Sequence, residues 1–158
     1  MIVTNRVKMI EIRHEIKNQD KKLVFTNGCF DILHSGHVDY LSKARQLGDF
    51  LVVGLNSDFS IKNIKGEKRP IINEKERAEL LDNLKCVDYV TLFDENTPEQ
   101  LISNLIPDIL VKGADWELNK IIGREIVEAN GGVVKTIEFS CNQSTSKIIN
   151  LIIERYCK

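Results

Sequence analysis

LVFTNGCFDILHSGH, residues 23–37, joins an apolar run to a polar turn and then to a second apolar pattern. The run LVFTN has the apolar density of a strand that is buried on both faces, and it ends at Gly28. Apolar residues then recur at helical spacing, at Val38, Leu41, Ala44 and Leu47, until Gly48 ends the helix. The stretch therefore predicts a buried strand, a polar turn and a helix in direct succession.

The same alternation continues along the chain. Further strands are predicted at residues 50–56, 88–93, 109–113 and 132–137, and helices at 5–18, 74–84, 97–105 (with Thr97 as N-cap), 121–129 and 146–156. This pattern is typical of the α/β class, a Rossmann-like parallel sheet with helices on both faces, whose ligands bind at the carboxyl ends of the strands. We expect one domain over residues 1–158, with residues 1–20 as an N-terminal helical extension. The polar stretch 58–69 is expected to be a mobile loop.

The composition is that of an ordinary globular protein and argues against several functions. A formal net charge of -1 over 158 residues gives no reason to expect a nucleic-acid partner. The first residues are charged throughout, so they form no secretory signal, and no apolar run is long enough to cross a membrane. The four cysteines lack zinc-binding spacing. Free thiols without a signal indicate the cytoplasm.

Two histidines, His34 and His37, lie at the start of the helix that follows the first strand. The turn has neither GxGxxG nor GxxxxGK[ST], so two familiar phosphate loops are excluded. A helix amino terminus offers unpaired N–H groups to a phosphate, and Gly36 lets a ligand approach the backbone closely. Histidines three residues apart share one side of a helix, where both can stabilise oxygens that gain charge in nucleotidyl transfer. A zinc site would need a third ligand nearby, which this segment lacks.

Polar residues also close two other strands. Asn56 ends the second strand, where it either faces a ligand or forms a turn. Lys112 ends the fourth strand, and a lysine in this position is costly to bury unless it is used. Asp115 follows closely and could hold a sugar hydroxyl or help to bind a metal ion. Trp116 either contacts the ligand or packs.

Basic residues in and after the polar stretch are candidates for phosphate binding. Lys65, before Gly66, is the best of the loop lysines, although a solvated loop accounts for most of them. Arg77 is unfavourable in the first turns of a helix unless it serves another partner. That partner is either a substrate phosphate or a surface carboxylate, Glu74 or Asp82.

The last helix opens with Ser144-Thr145-Ser146. Hydroxyl side chains at this position cap a helix by accepting hydrogen bonds from its first N–H groups. The same helix end is suited to bind a phosphate. The triplet therefore predicts both a cap and a contact to a triphosphate.

These segments resemble a known family. TNGCFDILHSGH (26–37), LGDFLVVGLNSD (47–58), PDILVKGADW (107–116) and QSTSKII (143–149) resemble the HxGH nucleotidylyltransferases, and among them the heptose 1-phosphate adenylyltransferases. The related cytidylyltransferases carry RTEGI before the last helix, whereas this chain has FSCNQ at 139–143. The missing arginine favours the adenylyltransferase branch.

The resemblance implies transfer of AMP from ATP to D-glycero-β-D-manno-heptose 1-phosphate, with pyrophosphate released and Mg²⁺ accompanying ATP. It implies catalytic roles for His34, His37 and Lys112. The implied nucleotide-binding residues are Gly28, Cys29, Phe30, His34, Gly36, His37, Lys112, Gly113, Ser144, Thr145 and Ser146. The implied substrate-binding residues are Asp31, Asn56, Lys65, Arg77 and Asp115.

Partners and alternatives follow from the same resemblance. A homo-oligomer is implied, and a separate heptose kinase upstream, because 158 residues leave no room for a fused one. No site built of protein metal ligands is expected. A cytidylyltransferase for glycerol 3-phosphate or another polyol phosphate stays open as an alternative. A non-catalytic nucleotide-binding module is the more distant one.

Overall fold

The computed structural model describes residues 1–138 and 143–157. Within them, five parallel strands form one sheet in the order β3-β2-β1-β4-β5. The strands are β1 Leu23–Gly28, β2 Phe50–Asn56, β3 Tyr89–Phe93, β4 Ile109–Gly113 and β5 Val133–Ile137. The helices are α1 Arg6–Asn18, α2 Ser35–Arg45, α3 Asp58–Lys65, α4 Glu74–Asp82, α5 Glu99–Leu105, α6 Arg124–Ala129 and α7 Thr145–Tyr156. The predicted Rossmann-like parallel sheet is confirmed.

Apolar cores lie on both faces of the sheet. On one face α2 and α4 pack through Tyr40, Leu41, Ala44 and Leu81. On the other face α1, α5 and α6 pack through Met9, Ile12, Leu101 and Val127. A parallel sheet covered on both faces has apolar strands without alternation, which is why runs such as LVF occur in β1.

The residues predicted as an N-terminal extension contribute to the second core. Met9 is fully buried in it. Arg13 is also buried, and its guanidinium donates to the Asp108 carboxylate and to the carbonyl oxygens of Leu105 and Ile106. α1 is therefore tied to the turn between α5 and β4.

The stretch 58–69 was expected to be a loop, and this expectation is wrong for most of it. Asp58–Lys65 form α3, whose N-cap Ser57 accepts a hydrogen bond from the N–H of Ser60. Only Ser60 and Ile61 of this helix are buried. The helix has only eight residues, and most of its side chains are polar, so its sequence resembles that of a loop.

Several helix boundaries also differ from the prediction. α5 begins at Glu99, with Pro98 rather than Thr97 at the N-cap position. α6 begins only at Arg124, because Gly123 has a φ of 85° and a 3₁₀ turn, Leu118–Lys120, precedes it. α2 ends at Arg45 and α4 at Asp82, two or three residues early. Among the described helices, none combines the length and apolarity that crossing a membrane requires.

Candidate active site

The strand order reverses at the centre of the sheet. β2 and β3 lie on one side of β1, and β4 and β5 lie on the other. Such a switch point opens a crevice at the carboxyl ends of the two central strands. A cavity of about 830 Å³ lies there, lined by the β1–α2 turn, the end of β4 and the start of α7.

The β1–α2 turn has an unusual backbone. Phe30 and Ile32 have φ values of 44° and 28°, in a region that residues other than glycine rarely adopt. At Gly28, an added Cβ would lie 3.1 Å from the Phe30 ring. Strained backbone of this kind persists where surrounding structure enforces it, often at functional sites. Here it delivers His34 to the N-cap position of α2.

His34 and His37 both line the cavity. Their rings stack with centroids 3.8 Å apart, and Phe30 contacts His37 edge-on at 5.3 Å. Burial, together with the neighbouring His34, lowers the pKa of His37 to about 4, and burial lowers the pKa of His34 as well. Both rings are therefore neutral near pH 7. The Nδ1 atoms of both are buried without a hydrogen-bond partner among the described residues.

Lys112, near the end of β4, lines the same cavity as the histidines. It is 9% exposed, and its Nζ donates a 2.6 Å hydrogen bond to Oδ1 of Asn27 at the end of β1. Nζ also lies 5.5 Å from the centre of the Trp116 ring. Burial lowers the pKa of Lys112 to about 8, although Asp115 and Cys29 act in the opposite direction. Sequence reasoning missed Asn27, whose position at the end of a central strand was the available signal.

The amino terminus of α7 closes the other side of the cavity. Ser144 is the N-cap, and its hydroxyl accepts a hydrogen bond from the N–H of Lys147. Thr145 and Ser146 follow in the first turn and line the cavity. Two helix amino termini, those of α2 and α7, thus meet at one cavity, an arrangement suited to a polyphosphate. Residues 139–142, which carry most of FSCNQ, lie outside the described residues.

A basic segment borders the cavity on the α3 side. Lys65 and Arg69 both line it. Asp31 binds Nε of Arg69 at 2.6 Å and also accepts from the N–H groups of Ile71 and Ile72. Burial alone would raise the pKa of Asp31, but these hydrogen bonds outweigh it and hold the pKa below its usual value. The Asp31 carboxylate therefore fixes the segment and has little capacity left for a sugar.

Arg77 does not reach the cavity. It is 1% exposed, and its guanidinium donates to the carbonyl oxygens of Ile72, Cys29 and Asn56. Its ion pair is with Asp58, not with Glu74 or Asp82. Arg77 was expected to bind a substrate phosphate, and its position in the structure differs from that expectation. Arg77 instead fixes the turns that follow β1 and β2.

Taken together, the other predicted site residues lie either in the main cavity or beside it. The main cavity is lined by Gly28, Cys29, Phe30, Asp31, His34, His37, Lys65, Lys112, Gly113, Asp115, Ser144, Thr145 and Ser146. Gly36 is buried in the first turn of α2. Asn56 donates to Oγ of Ser60 and lines a smaller adjoining chamber. Segments distant in sequence thus form one site around Lys112.

Comparison with known proteins gives close relatives. The chain is 59% identical over 139 residues to the Bifunctional protein HldE of Citrifermentans bemidjiense, which covers 88% of this chain and 28% of that protein. It is 54% identical over 142 residues to the protein of the same name from Helicobacter pylori, covering 90% of this chain and 30% of the relative. The chain therefore spans less than a third of the length of these relatives.

Two solved structures resemble the fold. The lipopolysaccharide core biosynthesis protein from Thermoplasma volcanium GSS1 aligns with a TM-score of 0.64 at 32% identity, over 78% of this chain and 99% of that one. The pantoate-beta-alanine ligase from Francisella tularensis, complexed with beta-gamma ATP and beta-alanine, aligns with a TM-score of 0.65 over 100% of this chain and 79% of that one. At 14% identity, the second likeness concerns the fold alone.

The family profile described as Cytidylyltransferase-like matches residues 25–151, which include both the HSGH turn and the start of α7. The match thus spans most of the chain and all the elements that line the cavity. The resemblance inferred from HxGH is confirmed, and the chain belongs to the cytidylyltransferase-like family of nucleotidyltransferases.

Proposed function

We propose that the protein transfers AMP from ATP to D-glycero-β-D-manno-heptose 1-phosphate, forming ADP-heptose and releasing pyrophosphate. The observation that carries the proposal is the convergence of the neutral His34–His37 pair, Lys112 and the amino terminus of α7 on one cavity. Phosphoryl-type transfer needs mainly positioning and stabilisation of charge, and these groups supply both.

In this mechanism the triphosphate lies between the two helix ends. The hydroxyl groups and N–H groups at Ser144–Ser146 hold the outer phosphates, and Lys112 neutralises charge near the α-phosphate. Each neutral imidazole carries one N–H, which it donates to phosphate oxygens as negative charge grows on them. An oxygen of the sugar phosphate attacks the α-phosphorus, and the bond to the pyrophosphate oxygen breaks. No covalent intermediate with the protein is required.

Nucleotidyltransferases use a divalent metal ion with the triphosphate, and we propose Mg²⁺ here. Among the described residues, no group of three or more His, Cys, Asp or Glu side chains could hold a metal ion. Mg²⁺ commonly binds through substrate phosphates and only one or two carboxylates, so a site of this kind fits. Of the two carboxylates that line the cavity, Asp31 is engaged by Arg69, whereas Asp115 is exposed and accessible to the ion. The ion would neutralise the leaving pyrophosphate.

The choice of ATP and a heptose rests on the sequence resemblance and on the relatives. HldE proteins match at 54–59% identity in the two cases above. The relative from Thermoplasma volcanium is described as a lipopolysaccharide core biosynthesis protein, which is consistent with a surface-glycan precursor. A separate heptose kinase, a homo-oligomeric state and a cytoplasmic location stay predictions.

A cytidylyltransferase for glycerol 3-phosphate is the second candidate. It is favoured by the description of the family whose profile matches, Cytidylyltransferase-like. The FSCNQ sequence at 139–143 argues against it, because it lacks the arginine of RTEGI.

A pyrophosphate-release screen tests the proposal directly. Four nucleoside triphosphates are crossed with a panel of sugar and polyol phosphates, with Mg²⁺ present. We expect the highest kcat/KM for ATP with heptose 1-phosphate. A higher value for CTP with glycerol 3-phosphate would assign the protein to the second candidate, and ATP binding without any turnover would favour a non-catalytic module.

A further inference from the structure

A smaller chamber of about 250 Å³ adjoins the main cavity on the side of β2 and β3. The two spaces share six lining residues, Asn27, Gly28, Cys29, Lys65, Lys112 and Trp116. Lys65 and Lys112 therefore border both the chamber and the cavity. The far walls belong to the chamber alone and come from Asn56, Ile64, Asn96, Pro98 and Ile122.

The two spaces differ in chemistry. His34, His37 and the amino terminus of α7 line the main cavity and do not line the chamber. The chamber's own walls carry two amide side chains, Asn56 and Asn96, together with apolar groups. Amide groups exchange hydrogen bonds with hydroxyls, and apolar side chains pack against C–H faces. Such a lining suits a polyhydroxylated ring better than a second phosphate chain.

The chamber is also the smaller of the two spaces, at about 250 Å³, so it suits a group smaller than a drug-sized ligand. A nucleoside triphosphate needs the larger space. The main cavity, with about 830 Å³ and both helix termini, provides it.

The turn that carries Asn96 is held in place before any ligand binds. The hydroxyl of Ser60 donates to the carbonyl oxygen of Glu95 at 2.8 Å, and the Asn56 amide donates to the same hydroxyl at 2.9 Å. Arg6 binds the Glu95 carboxylate through two hydrogen bonds, at 2.7 and 3.1 Å. A fixed turn presents its side chain to a ligand at little entropic cost.

We propose that this chamber binds the sugar ring of the acceptor, with the acceptor phosphate between Lys65 and Lys112 and with Asn96 as a specificity residue for the sugar hydroxyls. The inference rests on the function proposed above. An acceptor oxygen then approaches the α-phosphorus from the chamber side and forms the new P–O bond. The bond to the bridging oxygen breaks, and pyrophosphate takes that electron pair and leaves toward α7, in line with the attack.

Two substitutions test the chamber without disturbing the core. Ile64→Trp fills it from α3, where Ile64 is 42% exposed. Asn63→Trp places the same bulk on the neighbouring exposed residue, which lines neither space, and is the matched control. Asn96→Ala removes only the amide from an exposed turn.

The readouts are KM for the sugar phosphate from initial rates, and Kd for ATP from calorimetry. We expect Ile64→Trp to raise the acceptor KM about tenfold or more, and Asn96→Ala to raise it about fivefold, the effect of one lost hydrogen bond. The Kd for ATP should stay within about twofold in both variants, and Asn63→Trp should change neither quantity. An unchanged acceptor KM in Ile64→Trp would overturn the inference. A weaker Kd for ATP in Ile64→Trp alone would also overturn it, since the chamber would then hold part of the nucleotide.

The inference and the proposed function fail in distinguishable ways. If the wild-type protein accepts a different donor and acceptor pair, the heptose assignment fails, and the same variants are measured with that pair. The chamber assignment is then supported if the acceptor KM rises while the Kd for ATP does not. It is overturned if the acceptor KM does not rise. The measurement of ATP binding needs no turnover, so it tests the chamber whatever the acceptor is.

Discussion

His34 and His37 stack at 3.8 Å, and burial keeps both rings neutral near pH 7. A neutral imidazole contributes a directed N–H and no net charge before ATP arrives. Its hydrogen bond strengthens as negative charge develops on the phosphates, so it stabilises the transition state more than the ground state. The pair is therefore suited to raise kcat, and we expect Lys112 and the helix termini to supply most of the affinity for the triphosphate.

We predict that His37→Ala lowers kcat by about 100- to 1,000-fold. The Kd for ATP should change little, because the lost hydrogen bond matters mainly in the transition state. Steady-state rates and calorimetry separate the two effects. His14→Ala, which removes the exposed histidine of α1, is the control and should retain activity. Near-normal turnover in both His34→Ala and His37→Ala would contradict the mechanism.

Lys112 gives a prediction about pH. Its pKa of about 8 in the free protein means that its charge is lost as pH rises through that value. We therefore expect kcat/KM, which reports free-enzyme groups, to fall above about pH 8. Asn27→Asp places a carboxylate at the 2.6 Å contact and should raise the pKa of Lys112. The alkaline limb of the pH profile of kcat/KM should therefore move to higher pH by about one unit. The exposed substitution Asn130→Asp should leave the limb in place, and a downward shift in Asn27→Asp would exclude Lys112 as its source.

The elements α2 and α7 bring their amino termini to the same cavity, although one follows β1 and the other follows β5. At the start of α7 the cap comes from Ser144 alone, whereas the candidate ligand role extends to Thr145. Ser144 accepts the hydrogen bond from Lys147 N–H, whereas Thr145 is the first helical residue. A substitution at each position can therefore separate the two functions that the sequence pattern combined.

We predict that substitutions at Ser144 and Thr145 affect different quantities. Ser144→Ala removes the cap and should lower the free energy of unfolding by about 1 kcal/mol. Thr145→Ala leaves the cap and should weaken ATP binding with little change in melting temperature. Melting curves and calorimetry on the same preparations give both quantities. A lower melting temperature with unchanged ATP affinity in Thr145→Ala would make Thr145 part of the helix end only.

At the scale of the whole molecule, the site lowers stability in acid. The pKa of His37 is about 4 in the folded protein and near 6.5 when unfolded, so the unfolded state binds more protons between these values. Stability must then rise with pH across this window and fall as pH drops from about 6.5 toward 4. Asp31 acts in the same direction at lower pH, because its pKa is depressed below 3.8 in the folded protein.

We predict that His37→Gln reduces this loss of folding stability in acid. The variant has no ring to protonate, so its melting temperature should change less between pH 6.5 and pH 4.5 than that of the wild type. Thermal melts at fixed ionic strength measure the slope. His14→Gln removes an exposed histidine outside the site and is the control. An equal slope in His37→Gln and the wild type would mean that His37 is not buried in a neutral form.

Local patterns predicted the α/β class because a buried strand and an amphipathic helix each have a periodicity that a short window contains. β2 and β4 were predicted with the bounds that the structure shows. α3 was missed because it buries only Ser60 and Ile61, and its polar face resembles a loop. The start of α6 was missed because it depends on the positive φ of Gly123.

The candidate site was only partly predictable for a related reason. A strand-to-helix turn with HxGH carries its chemistry within a few residues, so His34 and His37 were found from the sequence. Arg77 was expected near a phosphate, but its donors bind carbonyl oxygens from two distant turns, and no local pattern reveals those partners. Asn27 was missed for the converse reason, since its importance comes from Lys112 on a neighbouring strand.

The sequence alone determined the order of the strands and of every helix except α3, the family and the histidine pair, because each depends on residues that are close together in the chain. Only the tertiary structure decided that β1 and β4 are neighbours, that two helix termini share one cavity, and that a second chamber opens beside Lys112. It also decided which charges are used within the protein, as with Asp31 and Arg77. The physical reason is that burial, pKa and hydrogen-bond satisfaction depend on which atoms meet in space, and strand pairing brings together residues that lie tens of positions apart.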